Sequence, residues 1–164
     1  MNLDKLHSVY FIGIGGIGMS AIARFFMQRQ VHVSGYDKTP TPLTLQLQQE
    51  GIDVHYTEDI SLANQKADLV VYTPAIPANH LELQWFQQQQ FKVVKRSDVL
   101  QMISEQMQAI CVAGTHGKTT ISTLIAHILR HTEYGCNAFL GGISANYNVN
   151  YWSSDKQVAV IEAD

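Results

Sequence analysis

The sequence contains few of the residues that mark specialised folds. Two of its 164 residues are cysteines, Cys111 and Cys136, so a disulfide-stapled secreted domain is excluded and nothing indicates an oxidising compartment. Because Cys111 lies in an apolar run, we expect its thiol to be buried. The seven histidines show no metal-ligand spacing, which argues against a metal centre built from histidine and cysteine.

Charge and long apolar runs are scarce as well. Charged residues make up 15% of the chain and the formal net charge is -3, which gives no hint of nucleic-acid binding. No apolar run approaches membrane-spanning length, and the N-terminus has no signal-peptide stretch. We therefore expect a soluble cytoplasmic protein without membrane insertion, and its 46% hydrophobic content is enough to build a core.

The first chemical pattern is a glycine turn between a strand and a helix. The apolar run 9–12 leads into Gly-Ile-Gly-Gly-Ile-Gly at residues 13–18, and a helix-patterned segment follows at 19–30. A second strand, 32–37, ends in Asp37, at about the distance expected of a dinucleotide fingerprint. The pattern predicts a Rossmann-like nucleotide fold.

The alternation of strands and helices continues to about residue 106. We predict strands at 52–55, 67–72 and 92–95. We predict helices at 42–50, capped by Thr41 with Pro42 at the first helical position, at 81–90, and at 98–106, capped by Ser97. Strands separated by helices predict an α/β fold with a Rossmann-like parallel sheet and helices on both of its faces.

A second phosphate loop follows the apolar run 109–113 and precedes a helix-patterned run, 121–130. The residues that we expect to bind ATP are Gly114, Thr115, His116, Gly117, Lys118, Thr119 and Thr120. Loop and helix amides can hold an anion, Lys118 can reach phosphate oxygens, and the Thr119 hydroxyl suits Mg²⁺. The generic motif is only partly met, because Val112 stands where its first glycine would be.

This second loop predicts a second nucleotide unit. We place the domains at 1–106, Rossmann-like, and 107–164, the truncated start of a P-loop α/β domain. Residues 138–142 and 157–161 are apolar, and the segment with Asn146, Asn148 and Asn150 is predicted to be a polar loop. Glu162 stands at the end of the last apolar run. It is either a magnesium ligand or an ordinary polar residue that ends a strand.

The last apolar run should pair with the 109–113 strand and bring Glu162 beside Thr119. Both runs read as strands covered on two faces. An edge and part of a face would stay bare in this chain, which predicts self-association through residues after Met107.

Four motifs together resemble the Mur ligases, and they span the chain in the family's order. They are Gly-Ile-Gly-Gly-Ile-Gly-Met at 13–19, Gly-Tyr-Asp at 35–37, Gly-Thr-His-Gly-Lys-Thr-Thr at 114–120 and Glu-Ala-Asp at 162–164. The resemblance implies a three-domain enzyme that binds UDP-N-acetylmuramate, ATP with Mg²⁺, and L-alanine. The resemblance also implies the reaction: ATP would phosphorylate the muramate carboxylate, the amine of L-alanine would attack the acyl phosphate, and phosphate would leave.

Carried over by the resemblance, Lys118 would be catalytic and stabilise charge on the transferring phosphoryl group. Thr119 and Glu162 would bind Mg²⁺. The residues expected to bind the UDP-sugar are Gly13, Gly15, Gly16, Ile17 and Gly18, with Asp37, Ala75 and Ile76 near the uridine.

The chain ends where the family's central domain has only begun, so we expect an N-terminal piece of a ligase that binds UDP-sugar but is inactive. Three alternatives stay open. One is a muramate:tripeptide recycling ligase. Another is an NAD-dependent oxidoreductase domain using Gly13, Gly15, Gly18 and Asp37, which leaves 114–120 unexplained. The third is a nucleotide-sensing module without chemistry.

Overall fold

The structure, a computed structural model, describes residues 2–162. It divides into two compact units, Met1–Val99 and Leu100–Asp164. Helix α4 (Arg96–Gln106) crosses this division, and the sequence-based domains 1–106 and 107–164 stay a prediction.

The first unit is a five-stranded parallel sheet. Its strands are β1 (Ser8–Ile12), β2 (His32–Tyr36), β3 (Asp53–His55), β4 (Leu69–Tyr72) and β5 (Val93–Lys95). The spatial order is β3-β2-β1-β4-β5, and every adjacent pair is parallel. The predicted Rossmann-like sheet is confirmed. The order reverses beside β1, and ligands of such sheets bind outside the carboxyl ends of the strands at that point.

The helices of the first unit are α1 (Ile17–Gln28), α2 (Pro42–Gln49), α3 (Leu81–Gln88) and the first residues of α4, after a short 3₁₀ turn at Leu3–Lys5. As predicted, Thr41 caps α2, with Pro42 in its first turn. The central strands are covered on both faces, because residues 9–12 of β1 have no exposed surface.

The second unit is a four-stranded mixed sheet with one helix. Its elements are β6 (Gln108–Val112), α5 (Lys118–His131), β7 (Asn137–Ser144), β8 (Val149–Trp152) and β9 (Val158–Glu162). The order is β6-β9-β7-β8. Strand β9 pairs in parallel with β6 and β7, whereas β8 is antiparallel to β7. The predicted pairing of the last strand with the 109–113 strand is confirmed, with Ile110 opposite Val160.

Three local expectations were wrong. Part of the expected polar loop is strand β8, where Asn150 is only 1% exposed, because its neighbours Tyr151 and Trp152 pack into the core. Ser97 lies inside α4 and does not precede it. The Cys111 thiol is exposed, because β6 is an end strand of its sheet and no strand within residues 2–162 pairs with its outer side. None of the described helices combines the length and apolar character that crossing a membrane would take.

Candidate functional site

The glycine turn after β1 brings the backbone into a tight bend. Gly13 has a φ of +87°, and a Cβ there would lie 2.7 Å from the Thr73 methyl group, so both conformation and space favour glycine. The amides of Gly13 and Ile14 donate to the Tyr36 carbonyl at 2.8 and 3.0 Å. Gly16 then caps α1, so the first-turn amides of that helix begin at the turn.

Asp37 braces this turn. Its Oδ2 accepts a hydrogen bond from the Gly15 amide at 2.7 Å, and its Oδ1 accepts from the Thr39 amide at 3.3 Å. A Cβ at Gly15 would lie 2.7 Å from Asp37 Oδ2 and 2.6 Å from the Thr44 methyl group. The carboxylate therefore fixes the glycine turn through backbone amides.

A cleft of about 400 Å³ opens beside the turn, at the carboxyl ends of the central strands. Its lining consists of Gly13, Gly16, Tyr36, Asp37, Lys38, Glu58, Thr73, Ala75, Ile76, Pro77 and His80. Five of the residues predicted to bind a UDP-sugar thus lie together: Gly13, Gly16, Asp37, Ala75 and Ile76. Gly15, Ile17 and Gly18 are not among the described residues that line the cleft.

His80 is a cleft residue that no sequence motif indicated. Its ring is 2% exposed and caps α3, with Nδ1 accepting from the Leu83 amide at 3.5 Å. Among the described atoms Nε2 has no hydrogen-bond partner, and Glu58 Oε2 lies 3.8 Å away. Burial lowers the pKa of His80, so the ring is neutral at pH 7 with its proton on Nε2.

Gly18 makes room for an arginine. A Cβ on Gly18 would overlap the guanidinium of Arg96, the first residue of α4. Burial lowers the pKa of Arg96, yet arginine stays charged in proteins. A cation therefore lies beside the first turn of α1, where sequence reasoning placed none. Its position could not be read from the sequence, because the two residues are brought together by the sheet.

The second loop, between β6 and α5, is a glycine-bounded bend. Gly114 has a φ of +149° and Gly117, the cap of α5, a φ of +73°. The Lys118 ammonium folds back and donates to the Gly114 carbonyl at 2.8 Å. Thr115, His116 and Thr120 are exposed. The loop therefore presents its backbone and its lysine at the surface.

Thr119 and Glu162 meet as predicted. Thr119 Oγ1 donates to Glu162 Oε1 at 2.8 Å, and the Gly141 amide donates to Glu162 Oε2 at 2.8 Å. Ser122 Oγ lies 3.4 Å from the same Oε2. A Cβ on Gly141 would lie 2.5 Å from Glu162 Oε1, so glycine is required there for the carboxylate to fit.

The oxygen atoms of Thr119 and Glu162 suit a magnesium ion. Within residues 2–162 no group of three or more histidine, cysteine or acidic residues is placed to hold a metal. Mg²⁺ in phosphate-transfer sites is held by one or two carboxylates, water and the phosphates themselves. The Thr119 hydroxyl and the Glu162 carboxylate lie beside the 114–120 loop and are both hard oxygen ligands, so they match that requirement.

Comparison with known proteins agrees with this geometry. A sequence profile described as "Mur ligase family, catalytic domain" matches residues 8–108. The UDP-N-acetylmuramate–L-alanine ligase of Porphyromonas gingivalis strain W83 is 54% identical over 162 residues, which cover 95% of this chain and 36% of that protein. The protein of the same name from Cytophaga hutchinsonii is 53% identical over 155 residues, covering 92% of this chain and 33% of that protein.

Solved structures are similar as well. A UDP-N-acetylmuramate-alanine ligase from Thermotoga maritima superposes with a TM-score of 0.82 at 29% identity, over 94% of this chain and 37% of that one. A UDP-N-acetylmuramate:L-alanyl-γ-D-glutamyl-meso-diaminopimelate ligase from Neisseria meningitidis gives 0.85 at 26% identity, over 97% of this chain and 53% of that one. The chain spans about a third of the length of the curated relatives that it matches. With the family profile matching more than half of its residues, the chain belongs to the Mur ligase family.

Proposed function

We propose that this chain supplies the nucleotide-binding parts of an ATP-dependent ligase that joins L-alanine to the carboxylate of UDP-N-acetylmuramate through an acyl phosphate. Relatives that bear this activity in their names are 44–54% identical to the chain. Because the chain spans about a third of their length, the complete reaction is proposed for a protein of that length.

One observation carries the proposal: the chain has two strand–glycine loop–helix units whose loops differ in construction. The turn at 13–18 contains no lysine and offers backbone amides beside a cleft, whereas the loop at 114–120 contains Lys118 and faces Glu162 through Thr119. Two such loops suit two phosphorylated ligands. A diphosphate inside a larger molecule needs shape and amide donors, while a transferred phosphoryl group needs mobile charge and a metal.

In the first unit the cleft would hold the UDP. Gly16 and the first-turn amides of α1 would face the diphosphate, and the Arg96 guanidinium would add positive charge beside that turn. The Ala75–Pro77 segment would cover the uracil with apolar surface. Asp37 would act mainly through the glycine turn, because both of its oxygens accept backbone amides.

In the second unit the loop at 114–120 would hold the ATP phosphates. Lys118 would leave the Gly114 carbonyl, a neutral acceptor, for phosphate oxygens, whose negative charge makes a stronger hydrogen bond. Thr119 and Glu162 would hold Mg²⁺, which when bound neutralises charge on the phosphate oxygens. The remaining contribution of these residues would be to orient the phosphates for transfer.

A tripeptide-adding ligase is the second candidate, because the Neisseria structure superposes as well as the Thermotoga one. The two candidate ligases differ in the amine that they join to the muramate carboxylate, which is L-alanine in one and the tripeptide in the other. A nicotinamide-dependent oxidoreductase is less well supported, because the Asp37 carboxylate already accepts from two backbone amides and the loop at 114–120 would have no role.

The test separates the two sites. Lys118→Ala should weaken binding of ATP with Mg²⁺ by roughly tenfold or more while leaving UDP binding unchanged, since a hydrogen bond to a charged group contributes about 1.5–3 kcal/mol. Ile76→Asp should do the reverse, because it places a negative charge in the cleft. Both are followed by NMR shift titrations, with the exposed Lys156→Ala as the control. Competition of ATP and UDP for one site would contradict the proposal.

A further inference from the structure

A triad of polar residues, two of them buried and the third partly exposed, lies beside the cleft. Tyr10 on β1 and Glu82 on α3 have no exposed surface, and the Tyr10 hydroxyl lies 2.5 Å from Glu82 Oε2. The same hydroxyl lies 2.7 Å from Nε2 of His55, at the end of β3. One hydroxyl therefore makes two short contacts with two groups that titrate.

The number of protons in this triad can be counted. His55 Nδ1 lies 2.9 Å from the Thr57 carbonyl, which can only accept, so Nδ1 carries a proton. In a neutral His55 ring, Nε2 then has a lone pair. An ionised Glu82 also has lone pairs facing Tyr10, and the phenol has a single proton. The two hydrogen bonds need two protons. If the phenol proton were the only one, one of the two contacts would place two lone pairs against each other away from water.

We propose that the Tyr10–His55–Glu82 triad holds one proton at neutral pH beyond those on the Tyr10 hydroxyl and His55 Nδ1, and that this proton positions the 57–59 segment at the cleft. We place this proton on Glu82, which then donates to Tyr10 as Tyr10 donates to His55. A proton on His55 Nε2 would reverse both donations and leave Glu82 ionised. The effect on ligand binding rests on the proposed UDP site, whereas the proton itself does not.

The surroundings of the triad favour this proton on Glu82. Burial raises the pKa of Glu82 to about 7 and lowers the pKa of His55. Burial also raises the pKa of Tyr10, so its hydroxyl stays protonated. The other titratable groups that face the triad come from β2, the loop after β3 and the cap of α3: Tyr36, Glu58, Asp59 and His80. Glu58 and Asp59 add negative charge, which also favours a protonated Glu82.

The triad is connected to the cleft by short contacts. Glu82 Oε1 accepts from the Asp59 amide at 3.2 Å, and the neighbouring Glu58, which lines the cleft, accepts from the Leu81 amide at 3.1 Å. The His55 ring is hydrogen-bonded to the Thr57 carbonyl, and its centroid lies 5.6 Å from the ring centroid of Tyr36, another cleft residue. If the extra proton is lost, the Tyr10 hydroxyl can keep its hydrogen bond to only one of His55 and Glu82. The group that loses its bond then shifts, and the 57–59 backbone shifts with it, because His55 is hydrogen-bonded to Thr57 and Glu82 to Asp59.

Glu82→Gln tests the proposal because the amide imitates a protonated carboxyl at every pH. Its NH₂ can donate to Tyr10 and its carbonyl can still accept from the Asp59 amide. In the unaltered chain, ¹³C NMR of the Glu82 carboxyl and the ¹⁵N shift of the Asp59 amide are followed from pH 5 to pH 9, together with UDP affinity. We expect the carboxyl to titrate near neutrality, the Asp59 amide to follow it, and UDP affinity to fall roughly threefold or more over the same range. The Glu82→Gln chain should keep its neutral-pH affinity throughout.

A Glu82 carboxyl that is ionised across the whole range would overturn the proposal. So would an Asp59 amide that ignores the titration, or a UDP affinity that falls equally in the unaltered and Glu82→Gln chains. If UDP binds at no pH, the proposed function fails. The titrations of the Glu82 carboxyl and the Asp59 amide in the unaltered chain then still show whether the triad holds the extra proton. They do so even where the Glu82→Gln variant does not fold.

Discussion

Thr119 donates a hydrogen bond of 2.8 Å to Glu162 although the two residues lie 43 positions apart in the sequence. The contact exists because β9 lies beside β6 in parallel, with Val112 opposite Glu162. The carboxyl end of β9 therefore comes to the same edge of the sheet as the phosphate loop, which is where a metal between protein and phosphate would be held.

Glu162→Gln should remove the magnesium dependence of ATP binding. The amide keeps the size of the side chain: its oxygen can accept from the Gly141 amide while its NH₂ donates to Thr119 Oγ1, but it lacks the negative charge that attracts the ion. We expect ATP affinity in Mg²⁺ to fall by about tenfold, and affinity in EDTA to stay unchanged. Asp155→Asn, at an acid whose side chain is 84% exposed, is the control. A variant that keeps its full response to Mg²⁺ would rule out this role for Glu162.

Two adjacent glycines should respond differently to alanine. A Cβ on Gly15 would collide with Asp37 and Thr44, so Gly15→Ala should lower the free energy of unfolding by about 1–3 kcal/mol. A Cβ on Gly16 meets no atom closer than 3.7 Å, so Gly16→Ala should cost less than about 1 kcal/mol. Because Gly16 lines the cleft, its variant should nonetheless bind UDP more weakly. Urea unfolding and UDP titration measure the two effects, and equal stability of both variants would contradict the packing described for Gly15.

The stability of the first unit should depend on pH through Glu82. Its pKa is raised from 4.5 to about 7 by burial, so its contribution to stability is complete below the unfolded pKa and is lost as the pH rises through about 7. His55 and His80, whose pKa values are lowered, contribute in the opposite direction, and their effect ends near the unfolded histidine value of 6.5.

Between about pH 6.5 and 8 the unfolding free energy should therefore fall by roughly 1 kcal/mol in the unaltered chain and stay level in Glu82→Gln. Denaturant unfolding followed by circular dichroism gives both curves. Because the two histidines are present in both chains, the difference between the curves isolates Glu82. Parallel curves would show that Glu82 is already ionised in the folded state.

The second unit should self-associate through an apolar stripe on α5. Ile121, Leu124 and Ile128 are 49%, 56% and 57% exposed, and their spacing puts them on one face of the helix. The adjacent sheet also ends at the unpaired edge of β6. Light scattering should show association of the unaltered chain at high concentration and a monomer for Leu124→Glu.

Leu62→Glu, at a leucine of the first unit that is 54% exposed, should leave that association unchanged. A monomeric unaltered chain at millimolar concentration would contradict the prediction.

Much of the fold could be predicted because its signals are local. The apolar run of β1, the glycine turn and the Thr41–Pro42 cap each depend on residues within a few positions of one another. Strand β8 was missed because its asparagines resemble a loop, and the sequence does not show that Asn150 is buried. Burial of a polar residue is decided by the strands on either side of it.

Each of the two glycine loops could be predicted, but part of the lining of the cleft could not. Glu58 and His80 reach the cleft from separate connections, and neither belongs to a motif. Glu82 looked like an ordinary residue of an amphipathic helix, yet it has no exposed surface because Tyr10 and the Asp59 amide supply its hydrogen bonds. Such partners come from distant parts of the chain, so pattern and spacing carry no trace of them.

The central claim is that the cleft beside the 13–18 turn binds the UDP part of a sugar nucleotide. Calorimetric titration of the chain with UDP-N-acetylmuramate, UDP, NAD and ATP tests it most directly, with Ile76→Asp as the variant that places a negative charge in the cleft. We predict that UDP and the sugar nucleotide bind at one site that Ile76→Asp abolishes, that NAD does not bind there, and that ATP does not compete. Tight binding of NAD together with no binding of UDP would contradict the claim.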